Sequence, residues 1–259
     1  MTTVLLVRHG LTAATGHTLS GRTPGVPLDD RGVAQARALG TRLAGLPLDA
    51  IVTSPLERCR QTAEAVTAAG DGRMPAVRED VRFTECHYGD WTGKPLRKLS
   101  KDPLWRVVQA HPSAVRFPGA DGESMLDVQH RAVAAIRAWN AELGADATYL
   151  VCSHGDVIKA VIADSLGLHL DMSQRIQADP CSLTVIRYTP LRPFLVRMND
   201  TGGGVDDLMP RERGEPGHDG KAPRQGESDA VVGGGSGGGV AGLTAGVHAV
   251  RERPQDTRG

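Results

Sequence analysis

The sequence predicts an α/β fold: a three-layer α/β/α sandwich with a mostly parallel sheet. Short apolar, β-branched runs recur along the first two hundred or so residues, as in strands buried on both faces. Between them lie stretches with apolar residues at three-and-four spacing, as in amphipathic helices. A third observation builds on these. Ligands of such sheets gather at the carboxyl ends of strands, and three of the runs end in Arg, His or Ser.

The first run, Val4-Leu5-Leu6-Val7, stops at Arg8-His9-Gly10. Similar runs occupy residues 50–52, 149–152, 183–186 and 194–196. Residues 31–46 place Val33, Ala36, Leu39, Leu43 and Leu46 on one helical face, behind Asp29-Asp30 as cap and acidic first turn. Ser54-Pro55 is expected to end a strand and open a helix with proline in its first turn, which brings Arg58 to the carboxyl edge. Arg60 falls on another face of that helix and reads as solvated. Residues 123–143 repeat the helical pattern with Val128, Ala132, Ile136, Trp139 and Leu143, and Gly144 ends it. Residues 155–166 read as a helix entered directly from the strand that ends at Ser153-His154.

Composition narrows the function classes. Thirty basic residues balance thirty acidic ones among 259, which argues against a general nucleic-acid binder or a polybasic membrane protein. Sixteen of the 32 glycines lie in residues 201–259, a stretch without Phe, Trp or Tyr. We therefore read residues 1–200 as the catalytic domain and 201–259 as a Gly/Pro-rich, flexible tail. The glycine run at 233–239 lacks the GK[ST] ending of a phosphate-binding loop. No basic segment with an apolar run of roughly 7–15 residues opens the chain, and no stretch approaches the roughly 18 apolar residues of a membrane span. Cys59, Cys86, Cys152 and Cys181 show no zinc-type grouping, so a cytoplasmic protein with reduced thiols is expected.

Two arginines and two histidines at strand ends, Arg8, His9, Arg58 and His154, suit a tetrahedral dianion such as a phosphoryl group. Adjacent arginines would repel a metal ion, so no metal and no cofactor is expected. A neutral imidazole can attack phosphorus, and nearby cations favour that neutral form. Glu85, within Phe83-Thr84-Glu85-Cys86-His87-Tyr88-Gly89-Asp90-Trp91, could donate the proton that a leaving alcohol needs, because aromatic neighbours would desolvate its carboxyl. The polar loop through Thr12, Thr15, Ser20 and Gly21 offers backbone N–H groups and hydroxyls to an anion. Alone, each signal has a plainer reading: an Arg-His pair bonded to loop carbonyls, or a surface carboxylate. Cys181 to Arg187 fits the C-x5-R expression of cysteine phosphatases, but the segment is glycine-free and strand-like and is set aside.

Leu6-Val7-Arg8-His9-Gly10, the segment from Ser54-Pro55 through Arg58 to Ala63, Glu85 through Trp91, Gly122-Glu123-Ser124 and Ser153-His154-Gly155 occur in one order. Together they resemble the histidine phosphatase superfamily, the phosphoglycerate mutase-like proteins, over residues 3–190. The resemblance implies that His9 is the nucleophile that becomes phosphohistidine. It also implies that Arg8, Arg58 and His154 form the phosphate pocket, that Glu85 is the proton donor, and that Ser20-Gly21 close over the substrate; in the mechanism expected here His154 is protonated and shares with the arginines the charge on the phosphoryl oxygens. Leu11 stands where the family often has Glu. Thr15 stands where it often has a phosphate-binding Asn, and is expected to give the phosphate one hydroxyl contact.

Cofactor-dependent mutases of the family usually carry an arginine pair after the acid residue and Asn after the second His-Gly. Here Trp105-Arg106 and Asp156 stand in those places, which favours a phosphatase. A phosphomutase using the same phosphohistidine is the second reading, and a non-catalytic binder of a phosphorylated ligand the third. Selectivity is expected in the segment 92–120, where Lys94, Lys98, Lys101, Arg106 and Arg116 could meet an anionic substrate. The expected partner is a phosphorylated small molecule, with neither nucleic acid nor membrane. Family members are commonly dimers or tetramers, which leaves a homo-oligomer open.

Overall fold

The computed structural model describes residues 1–69 and 74–202. The expectation for a tail at 201–259 therefore falls almost wholly outside the described residues. Six strands form one sheet: β1 (Thr2–Arg8), β2 (Ala50–Thr53), β3 (Val77–Glu79), β4 (Thr148–Ser153), β5 (Leu183–Tyr188) and β6 (Pro193–Asp200). Their order is β3-β2-β4-β1-β5-β6. The pairs β2/β3, β2/β4 and β1/β4 are parallel, whereas β5 is antiparallel to both β1 and β6. Only β5 therefore runs against the rest. The short turn in which Thr189 N donates to Arg192 O, 3.3 Å, accounts for part of this, because a parallel crossover needs a dozen or more residues. The short strand β3, largely exposed and without an apolar run, carries no sequence signal of its own.

The helices are α1 (Asp30–Leu43), α2 (Glu57–Ala68), α3 (Leu96–Leu99), α4 (Pro103–Ala110), α5 (Met125–Leu143) and α6 (Gly155–Ser165). Side-chain alternation along the central strands feeds two cores. Leu5, Val7, Ile51, Leu150 and Cys152 pack with Ala36, Leu39 and Leu43 of α1 and Cys59, Ala63 and Val66 of α2. Val4, Leu6, Val52, Tyr149 and Val151 pack with α5 and α6. These are the three layers expected.

Local chemistry sets the helix ends. Asp29 Oδ1 accepts from Gly32 N, 2.9 Å, at the start of α1. That helix stops at Leu43, short of the expected 46, because Gly45 takes φ +82° and Leu46 turns out to solvent. Ser124 and Asp127 form a reciprocal capping box at α5, and Gly144 closes it. Pro55 does not lie in the first turn of α2. The helix begins at Glu57 behind Leu56, so the proline belongs to the approach to it. A Cβ on Gly10 would sit 2.7 Å from Gly32 O, so a glycine there lets the His9 loop lie against the start of α1.

Candidate active site

The β1/β4 register aligns Arg8 with Ser153, and His9 N donates to Ser153 O, 3.0 Å. His9 and His154 therefore leave neighbouring strands side by side, with ring centroids 5.3 Å apart. Arg58, on the first turn of α2, joins them. Its Nε lies 3.3 Å from His9 Nε2, and its NH2 lies 2.8 Å from Gly21 O and 3.2 Å from His154 Nδ1. All three side chains are buried.

Arginine only donates and a carbonyl only accepts, so these contacts assign the ring protons. His9 Nδ1 donates to Gly10 O, 2.8 Å, which leaves the Nε2 lone pair toward Arg58. His154 accepts from Arg58 at Nδ1 and donates from Nε2 to Ser54 Oγ, 2.8 Å. Burial holds His9 well below the usual imidazole range, and Arg58 and Arg8 push in the same direction. Burial, then Arg58 and His9, hold His154 well below it too. Burial first, and the neighbouring Arg58 second, thus work against the protonated form of His154 that the sequence reading expected.

Glu85 is brought to the same place by the loop after the single turn Val81–Phe83. Its Oε2 lies 3.8 Å from His154 Nδ1 and its Oε1 accepts from Cys86 N, 2.9 Å. Burial raises its pKa to about 7, assisted by the charge of Asp156 and opposed by Arg58 and Arg8. Desolvation was expected from the aromatic neighbours, and Tyr88 and Trp91 are indeed buried. The contribution of Asp156 was not expected. Arg8, also buried, donates from NH1 to Ala178 O, 2.8 Å, and its charge acts on both His9 and Glu85.

The 10–15 loop is arranged differently from expectation. Gly10 N donates to Thr62 Oγ1, Leu11 N to Gln35 Oε1 and Thr12 N to Thr15 Oγ1, so side chains of the protein itself occupy these amides. The Thr15 hydroxyl also lies 3.0 Å from Thr12 Oγ1 and closes a turn instead of reaching the histidines. Gly21 does reach the site through its carbonyl, at φ +51° with Tyr88 and Thr92 against its Cα. Ser20 is half-buried beside it and accepts from Thr23 N at its own carbonyl. Arg60 is exposed and pairs with Glu79, 3.6 Å. Among Lys94, Lys98, Lys101, Arg106 and Arg116, Arg116 bonds Gly122 O and Asp127.

Sequence reasoning missed the clamp around Glu85. Arg22 Nε, 2.7 Å, and Arg131 NH2, 3.3 Å, both donate to Glu85 O. Both arginines also bind Glu123, which accepts in addition from His87 N, 3.0 Å. The only sequence signal was the Gly122-Glu123-Ser124 motif, recognised there without a role. Among the described residues, no group of three or more His, Cys, Asp or Glu could hold a metal ion, and no helix is long and apolar enough to cross a membrane.

An α/β sandwich that places two histidines, a bridging arginine and a protonatable carboxyl at the ends of its central strands belongs to the class of proteins that handle phosphoryl groups at histidine. The chain is a member of the histidine phosphatase superfamily (branch 1), whose family model matches residues 4–201. A Klebsiella pneumoniae relative named "Probable phosphoglycerate mutase GpmB" is 31% identical over 213 residues, covering 80% of this chain and 95% of that one. Among solved structures, Bacillus stearothermophilus YhfR is similar with a TM-score of 0.67 and 31% identity, over 77% of this chain and 98% of that one. The Shigella flexneri alpha-ribazole phosphatase has a TM-score of 0.66 and 27% identity, over 79% and 99%.

Proposed function

We propose that the protein is a metal-independent phosphomonoester hydrolase of the cytoplasm, acting on a phosphorylated small molecule through phosphohistidine at His9. The observation that carries this reading is the pairing of a neutral His9, its Nε2 lone pair held toward Arg58, with a buried Glu85 still protonatable near neutral pH. His9 Nε2 attacks phosphorus, forming the P–N bond as the ester P–O bond breaks. Arg58 and Arg8 offset charge on the phosphoryl oxygens, and Glu85 gives its proton to the leaving alcohol. Water then attacks phosphorus and gives a proton to the Glu85 carboxylate as the P–N bond breaks. Inorganic phosphate leaves, and both groups are restored. His154 takes part as a hydrogen-bonding group that keeps Arg58 in place. Gly21 belongs to the substrate loop through its contact with Arg58, with Ser20 beside it.

The name of the Klebsiella relative favours a mutase as the second reading. Two features support hydrolysis instead. Trp105 is buried against Trp91, with centroids 6.1 Å apart, and Asp156 is engaged internally by Tyr88. Neither is thereby placed to recognise a second anionic group. Incubation with labelled phosphoester should give an acid-labile phosphoenzyme that disappears in His9→Ala. Free phosphate should be the main product without any bisphosphorylated primer. Primer-dependent transfer to a second hydroxyl would establish the mutase, and absence of phosphoenzyme would leave only a binder.

A further inference from the structure

The loop that leads into β5 holds one of the two phosphoryl-binding arginines from behind. Arg8, itself buried, donates a guanidinium N–H to Ala178 O, 2.8 Å. That carbonyl borders a tight turn in which Ser182 N donates to Asp179 O, 2.9 Å, and Cys181, at φ +56°, donates its N–H to Arg8 O, 3.0 Å. The turn is thus tied to the end of β1. It is also tied to the end of β6. Asn199 Oδ1 accepts from Asp179 N, 2.7 Å, and Asn199 Nδ2 donates to Asp179 Oδ2, 2.8 Å. We infer that Asn199 is a positioning residue acting through Arg8: by gripping Asp179 at two points it fixes the Ala178 carbonyl that directs the Arg8 guanidinium. The inference rests on reading Arg8 as a phosphoryl-binding group.

The residue type suits this post. Asn199 sits at φ +51°, in the left-handed region that asparagine tolerates better than most residues. Its amide both accepts and donates, so it engages the Asp179 backbone and carboxylate at once. An aspartate could only accept, and would set one carboxylate against another. The post is itself held. Asn199 N donates to Thr184 Oγ1, 3.1 Å, on β5, which pairs with β1, and the next residue, Asp200, meets Arg42 of α1 at 2.9 Å.

A guanidinium carries its N–H donors in one rigid plane, so a bond from one of them orients the whole group. A misplacement of about 1 Å can cost about a hundredfold in rate. Burial works against the charge of Arg8, and Glu85, Asp179 and Asp156 support it, so the grip of Asn199 also keeps a counter-charge nearby.

The test uses the full chain and 4-nitrophenyl phosphate as the probe. Asn199→Asp should lower kcat/KM by about tenfold. Adding Asp179→Asn returns one donor and one acceptor to the pair at the parent's net charge, and should recover activity to within about threefold of the parent. Asn199→Gly keeps the left-handed backbone without the grip and should also lose about tenfold. In an Arg8→Ala background, Asn199→Gly should cost less than about twofold, because a contact that acts through Arg8 then has nothing to position. The same loss in both backgrounds, or no recovery in the exchanged pair, would overturn the inference by showing a merely structural role. Nitrogen-15 spectra of Arg8 read the rotation of its guanidinium without turnover. Asn199→Gly should quicken that rotation and the exchanged pair should slow it again, and unchanged rotation sinks the inference. If the parent forms no phosphoenzyme, the hydrolytic reading fails, while the rotation still decides whether Asn199 holds Arg8.

Discussion

Glu85 and Glu123 serve the same loop from two sides, yet their surroundings drive them to opposite protonation behaviour. Glu85 is buried near the His154 ring, 3.8 Å away, and burial, assisted by the charge of Asp156, raises its pKa to about 7. Glu123, at the entry to α5, is also desolvated. Hydrogen bonds from Arg131 and His87 N, with the charges of Arg131 and Arg22, more than offset this and hold it below the usual carboxylate range. Burial alone thus does not make an acid catalyst. What separates the two is whether an arginine fork bonds the carboxylate directly, at 2.6 Å from Arg131 to Glu123, or only acts on it from nearby, as Arg58 and Arg8 do on Glu85.

The comparison is broken most severely by Glu85→Gln, which removes the transferable proton and keeps the shape. Turnover of an alkyl phosphoester should fall by about 10²–10⁴-fold, measured as phosphate release, with far less loss on 4-nitrophenyl phosphate. The same substitution should stabilise the fold at alkaline pH. A carboxyl whose folded pKa is raised contributes stability that is complete below the unfolded value of 4.5 and is lost as pH rises through about 7. Urea denaturation should therefore show parent and variant equal near pH 4, with the variant ahead by roughly 3 kcal/mol at pH 8.

Glu123→Gln should act in the opposite sense. A depressed carboxylate stabilises above its unfolded pKa of 4.5, and that contribution is lost as pH falls through the folded value. The variant should lose about 2 kcal/mol at pH 7, because Arg131, which keeps its bonds to the Arg82 and Glu85 carbonyls, loses its charged partner in a largely buried position. That deficit should shrink in acid. Equal stability at pH 7 would mean that the clamp holds nothing. The smallest effect is expected from Arg22→Ala. Arg22 is about one-third exposed (34%), and Arg131 also donates to the Glu85 carbonyl, so the loss should be about 1 kcal/mol.

Below pH 6.5 the two depressed histidines add a further loss. Neutral buried imidazoles contribute stability that is present above the unfolded value and disappears as pH falls through the folded one. Denaturation midpoints should fall from pH 7 to pH 5, and less so in His9→Ala. Because Glu85 gains stability over the same range, the decisive comparison is the parent against His9→Ala, and an identical pH 7 to pH 5 change in the two would contradict the neutral assignment of His9.

By itself the sequence determined what local pattern and local capping can determine. Apolar runs marked five of the six strands, although the last of them, β6, lies mostly exposed at the sheet edge and not buried on both faces, and three-and-four spacing with Asp29 and Gly144 marked α1 and α5. The strand-end rule placed His9, Arg58 and His154 at one edge of the sheet, where the structure brings them together. Only the tertiary structure decided the rest. The reversal of β5 depends on the turn that follows it, and β3 exists as a partner to β2 without an apolar signal. Thr15 turns toward Thr12, a choice that no residue type dictates. The lowered proton affinity of His154, the retained proton of Glu85 and the clamp from Arg22 and Arg131 arise between groups far apart in sequence. Proton affinity depends on through-space charge and on water excluded by packing, and neither exists until the layers close.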